Sequence, residues 1–456
     1  PFAGGFTANL AQQLCCGIAS AAPALDPWAM LDALSALVDK SLVQRRAAAA
    51  DGDQERLHLL ESARDFARLQ LDQAGELAAT RRQHAQVVAQ AFASAHDELM
   101  HWRDRDWLAK YLPERRNVVV ALTWACAEGD PEVLARLVAA LAQLDALAQM
   151  PAEVVRLAVP MDSVADAPLA LRARAQLELG WAHFLDGRRD LGTDLTLQAL
   201  HVFEALGDQA GVYAALTRLG RLYIGRPGME ESAQDVWMQL KQIDEHQIPL
   251  RLRLICQSTV APQFEGGRSV ERLRELHRIA QQSGFESQAA VCCMYITDDL
   301  LRQSRYAEVV DVADGMLRGE EPILRMRAVI HHNRAHALAR LGRYAEAQAA
   351  AQVLLRAMPG WAFLVMDLFA LVNLRMGHHD HAALLLGCSA QVKRERDLQD
   401  EGPELTLIEE TLALLKRELG ESRVFVLMNQ GAAMAVADVL PLAWSPDDAA
   451  TPHATH

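Results

Sequence analysis

His332 and His336 stand four residues apart in "RAVIHHNRAHALAR", a stretch that reads as helix, so both imidazoles fall on one face at a spacing that can chelate a divalent metal. A second group, "GHHDH", gathers His378, His379, Asp380 and His381 in a turn. Neither brings an evident third and fourth ligand, so solvated polar side chains are expected at both and no metal is assigned. The adjacent Cys292 and Cys293 read as buried core rather than as nucleophiles. Seven cysteines, odd in number and without a C-x-x-C pair, read as reduced thiols of a cytoplasmic protein. No G-x-x-x-x-G-K-[ST] loop, G-x-S-x-G elbow or Ser/His/Asp grouping occurs, so neither catalysis nor ATP binding is expected of this chain.

Arginine supplies a different chemistry. Arg302, Arg340 and Arg375 each fall five residues after a small or β-branched residue, Thr297, Ala335 and Ala370, and a guanidinium repeated at one position suits carboxylates and phosphates through bidentate bonds. Asp298 and His336 stand beside them, one residue after Thr297 and Ala335, and Trp181 and Arg221 take that same position in two earlier segments. The spacing implies an acidic peptide, an acidic segment of the same polypeptide or an anionic small molecule as occupant. The plain alternative is ion pairing with acidic side chains of neighbouring helices.

Those positions matter only if helix pairs present them in register. "RAVIHHNRAHALARLGRYAEAQAAAQVLLRAMP" places Ala335, Leu338, Gly342, Tyr344, Ala347, Ala351, Leu354 and Pro359 on the small and large positions of a tetratricopeptide repeat, whose unit is about 34 residues. The same frame recurs around Tyr306 and Gly377 and, more loosely, around Gly180 and Gly220, with a degenerate unit near residues 250 to 285. In such an array the first helix of each pair lines a concave groove, which is where the arginines belong.

Composition agrees with helix. Hydrophobic residues make up 51% of the 456, led by Ala and Leu, while aromatics are 5%. The formal charge of -14 argues against contact with nucleic acid, because phosphate binding needs concentrated Lys and Arg. No run of about eighteen uncharged apolar residues is present, so no membrane partner is expected.

One stretch departs from helix. "SLVQRRAAAADGDQERLHLL" alternates apolar and polar residues on both sides of an Asp-Gly tip, which spells a β-hairpin. Ahead of it Asp26 and Pro27 open a helix, and behind it "ESARDFARLQLDQAGE" sets Ala63, Phe66, Ala67 and Leu71 on one helical face. Helix, helix, wing, helix is the order of a winged-helix domain. The expected fold is therefore all-α: a winged-helix segment at 1–80, a helical linker at 81–165, a tetratricopeptide-like α-solenoid at 166–400, a helical cap at 401–444 and a disordered tail at 445–456.

The strings "FAGGFT", "LDALSALVDKSLV", "RLHLLESARDFARLQLDQAGE" and "RRQHA", followed by "YLPERRNVVVALTWACAEGDPEVLARLVAALA", resemble the winged-helix segment and linker of STAND-type signal-transduction ATPases of the bacterial transcription-regulator kind. The resemblance implies a chain cut from a longer polypeptide, with an ATP-binding core and an output domain ahead of it. It implies a winged helix that packs on that core and reads whether ATP or ADP is bound, and a superhelix that receives a protein, peptide or inducer. ATP would belong to the full-length protein and no cofactor to this chain. Related branches carry Met-His-Asp before the last helix; here Leu59, Leu60 and Glu61 stand in those places, and leucine cannot bond a phosphate. That leaves His58 and Glu61 to sense the nucleotide, with an ordinary surface histidine as the alternative at His58. The same segment could serve a cyclase- or kinase-linked protein, or form a free-standing tetratricopeptide scaffold.

Overall fold

The computed structural model describes residues 1–17, 26–46, 55–150, 152–265, 269–318, 324–396, 398 and 402–444. Among the described residues the fold is all-α with one β-hairpin, and the helices pack on one another in sequence order. Two compact units divide it: residues 1–264 with 282–286, and residues 265–281 with 287 onward. The division falls inside the stretch expected to form one array of repeats.

The first unit opens with α1 (Ala8–Gly17) and α2 (Pro27–Asp39). Asp26 starts α2: its Oδ2 accepts from the backbone N–H of Trp28 at 3.1 Å and of Ala29 at 3.2 Å. The hairpin pairs β1 (Val43–Arg46) with β2 (Arg56–Leu59), Val43 opposite Leu59 and Gln44 opposite His58. Its Asp51-Gly52 tip lies outside the described residues. Phe6 adds a third, bridging partner, exchanging backbone bonds with Leu57 at 2.8 and 2.9 Å. Alternation then sends Val43 and Leu57 into a small core with Phe2, Phe6, Leu10 and Met30. Next come α3 (Glu61–Gln73), α4 (Leu77–Ala91), α5 (Ala95–His101), α6 (Asp104–Tyr111), α7 (Arg115–Glu128) and α8 (Pro131–Leu147). Gly129, at φ +74°, ends α7 in the left-handed region and Asp130 caps α8.

After the single turn α9 (Glu153–Arg156) the pairs begin: α10 (Leu169–Leu185) with α11 (Arg189–Leu206), then α12 (Gln209–Tyr223) with α13 (Glu230–Leu240), then α14 (Leu250–Thr259) and α15 (Ala261–Phe264). Glycine lets the first pair cross closely: a Cβ on Gly180 would lie 2.9 Å from Gly192 O, and one on Gly192 2.7 Å from Gly180 O.

The second unit is built on α16 (Val270–Ser283), α17 (Glu286–Arg302), α18 (Tyr306–Leu317), α19 (Leu324–Arg340), α20 (Tyr344–Ala357), α21 (Ala362–Arg375), α22 (His379–Glu395), α23 (Gly402–Leu419), α24 (Glu421–Ala433) and α25 (Val436–Val439). The turns within pairs need one left-handed residue, filled by Gly342 and Gly377 and, in the pair α17/α18, by Ser304 at φ +57°. One apolar core runs from α16 to α25. Residues 445–456, expected as a tail, lie outside the described residues.

Candidate functional site

Arg302, Arg340 and Arg375 are each the last residue of a helix, α17, α19 and α21. Thr297, Ala335 and Ala370, five residues earlier, are fully buried. The three guanidiniums thus leave equivalent points of successive helix pairs, beside carbonyl ends where a cation is favoured.

Two of them meet one carboxylate. Glu410, on α23, accepts from Nη1 of Arg340 and stands 3.5 Å from Nη2 of Arg375. Arg302 pairs with Asp299 on its own helix instead. The Arg340 side chain is 9% exposed and its cation lies 6.0 Å from the centre of the Tyr306 ring. Earlier on α23, Glu404 stands 3.5 Å from Nε2 of His332. Burial pushes the Glu404 carboxyl up, but the facing His332 side chain outweighs that and holds it below its ordinary value.

His332 and His336 are buried, contrary to the solvated side chains expected from sequence, because the helical face that carries them is packed inside the unit. Burial lowers the His336 pKa to about 3, so its ring is neutral at pH 7 and Nε2 can accept from Nε of Arg340, 3.4 Å away. In "GHHDH" the rings of His378 and His381 stack 5.7 Å apart, while Asp380 pairs with Arg423 at 2.8 Å. Among the described residues no group of three or more His, Cys, Asp or Glu is placed to hold a metal. Cys292 and Cys293 are buried, and burial, with Cys292 alongside, pushes the Cys293 thiol up to about 12, far from a thiolate nucleophile at neutral pH.

The remaining residues of the expected groove separate from this cluster. Asp298 accepts from Nδ2 of Asn333 at 2.7 Å. Trp181 and Arg221 belong to the first unit, where the Trp181 ring lies tilted against Phe184 at 4.9 Å and under the Arg218 guanidinium at 5.7 Å, and Arg221 is half-buried on α12. Sequence reasoning missed Glu404 and Glu410. Their signal lay in "GPELTLIEETLALLKREL", where Leu407, Thr411 and Leu415 make the buried stripe and the two acids flank it.

In the hairpin, the His58 ring lies over Gly5, close enough that a Cβ there would come within 2.4 Å of Cε1. Glu61 is exposed at the start of α3, 3.6 Å from Arg64. The two face different neighbours. A buried polar joint ties the hairpin to α7: Asn117 accepts from the N–H of Ala3 (2.9 Å) and Gly4 (3.1 Å) and donates to Gly5 O (2.8 Å) and Glu114 (2.6 Å). Arg56 closes it, donating to Glu114 at 2.5 Å and to Gly5 O at 3.1 Å.

Chemically, the arginine face can hold carboxylates, and here it holds Glu410. No helix among the described residues is long and apolar enough to cross a membrane. Set against models of known protein families and against curated proteins, the sequence matches none of them.

Proposed function

We propose that this chain is the sensing and coupling segment of a signal-transduction ATPase that regulates transcription, with the helix pairs receiving a protein, peptide or anionic inducer and the hairpin segment coupling that event to a nucleotide-binding core. One observation carries the reading. Helix α3 buries none of its residues, and its Phe66 and Leu69 are 64% and 52% exposed, while Trp28 on α2 is 75% exposed. Isolated surface apolar residues are ordinary, but two helices of one small segment that both show aromatic side chains to solvent are dressed for a partner surface. The joint of Asn117, Glu114 and Arg56 supports a coupling role, because its hydrogen bonds tie the hairpin to α7 and give a displacement a path between them. The cluster at Glu410 supports a receiving face whose resident acid an anionic partner would displace.

The test is the open reading frame that encodes Pro1. It should encode a G-x-x-x-x-G-K-[ST] loop upstream, and in that full-length protein Trp28→Ala with Phe66→Ala should raise basal nucleotide exchange at least several-fold. A reading frame with no such loop, or a double variant whose exchange is unchanged, overturns the proposal.

A further inference from the structure

Within the first unit a cleft of about 720 Å³ opens between α10, α11 and the 159–165 segment. Its walls carry an unusual set of unsatisfied groups. Gln176 and His183, both on α10 and each 8% exposed, are lining residues, and neither Oε1 of Gln176 nor Nδ1 of His183 has a hydrogen-bond partner. Nε of Arg172, one turn before Gln176, is buried without a partner as well, while its Nη1 donates to Ala165 O at 3.0 Å. A buried polar atom left without a partner costs about 1–3 kcal/mol, and three on one helix face, all bordering one open cleft, mark a place where a ligand supplies the missing bonds.

The chemistry of that ligand follows from what each group lacks. Gln176 donates its Nε2 to Oε1 of Gln198 at 2.7 Å, which fixes the amide orientation and leaves Oε1 seeking an N–H or O–H donor. Burial first, and the Arg188 charge second, lower the His183 pKa, so the ring is neutral at pH 7 and one of its nitrogens carries a proton to donate. Arg172 brings a permanent cation. The rest of the lining sets an aliphatic strip, Val159, Ala165, Leu191, Leu195 and Val202, beside the polar Asp162, Gln198 and His201. The volume is that of an ordinary small-molecule pocket.

We propose that this cleft binds a small amphipathic carboxylate of the N-acyl amino acid type: its carboxylate on Arg172, its amide N–H on Gln176, its amide carbonyl on His183 and its acyl chain along Leu191, Leu195 and Val202. The assignment rests on the cleft alone and survives if the chain proves not to belong to an ATPase.

Calorimetry with N-hexanoylglycine tests it directly on the whole chain. One molecule should bind per chain, and both hexanoate, which lacks the amide, and N-hexanoylglycinamide, which lacks the carboxylate, should bind at least tenfold more weakly. Arg172→Gln removes the cation, and Leu191→Glu sets a carboxylate on an exposed part of the wall; each should weaken N-hexanoylglycine at least tenfold while the melting temperature stays within a degree or two of the parent. Failure of N-hexanoylglycine to bind at millimolar concentration overturns the proposal, as does equal binding of the three probes or unchanged affinity in both variants.

Discussion

The side-chain amide of Asn117 donates to the carbonyl of Gly5 at 2.8 Å, across 112 residues of sequence, and its oxygen receives the N–H groups of Ala3 and Gly4. Asn117 is fully buried. Asn117→Ala therefore leaves two amides and the Glu114 carboxylate short of a partner, and should destabilise the first unit by about 2–4 kcal/mol. Asn117→Asp keeps the acceptor but sets a second carboxylate 2.6 Å from where Glu114 now accepts, and should do at least as much harm. Denaturant unfolding followed by the tryptophans of this unit measures both. A loss below about 0.5 kcal/mol in Asn117→Ala means that the joint does not hold the hairpin.

Glu410 serves two arginines unequally. The Arg340 side chain is 9% exposed and Arg375 33%, so desolvation strengthens the first pair and water screens the second. Double-mutant cycles to alanine should give a coupling of about 1–3 kcal/mol for Arg340 with Glu410 and below about 1 kcal/mol for Arg375 with Glu410. Equal couplings would show that burial is not what sets them.

Much of the architecture could be read from residue types because it depends on short-range rules. The Gly342 and Gly377 turns and the alternation that buries Val43 and Leu57 are each decided within a few residues. Ser304 hides a turn of the same kind, since a serine in the left-handed region gives no signal. The arginine row was visible as spacing, but its partner lies 70 residues beyond Arg340 on a helix whose facing side nothing local determines. The burial of His336 was lost for that reason. The same holds for the cleft: Gln176 and His183 are unremarkable in sequence, and the 159–165 segment and α11 that wall it with them are brought there by tertiary packing.

Helices α22 and α24 touch backbone to backbone. A Cβ on Gly387 would lie 2.1 Å from Met428 O, and one on Gly431 2.1 Å from Leu384 O, so neither can be accommodated without moving a helix. Gly387→Ala and Gly431→Ala should each cost about 1–3 kcal/mol in the second unit despite alanine's better helix propensity, the cost of overpacking exceeding the gain of about 1 kcal/mol. A variant as stable as the parent by denaturant unfolding refutes the close crossing.

Among the described residues burial lowers the pKa of five histidines and makes the chain acid-sensitive; His96 and His183 are two of them, and His84, His331 and His336 are the other three. Burial is the main cause in each of these three: it lowers His84 and His336 to about 3 and His331 to about 4, from an ordinary value of 6.5. Between pH 6.5 and those values the unfolded chain takes up a proton that the folded chain refuses, so stability is complete above pH 6.5 and falls as the pH drops toward 3. Each fully buried ring contributes a slope of up to about 1.4 kcal/mol per pH unit in that window. Glu404, held below its ordinary value, adds to the loss at the acid end. His84 lies in the first unit and its ring stands edge-on to Phe2 at 4.9 Å, with Nε2 unpartnered, so His84→Leu should flatten the acid dependence of that unit alone. His336→Asn should flatten that of the second. Denaturation midpoints at half-unit steps from pH 7.5 to 4.5 decide it: if each variant keeps the parent's slope, the rings are protonated in the folded chain and the burial argument fails.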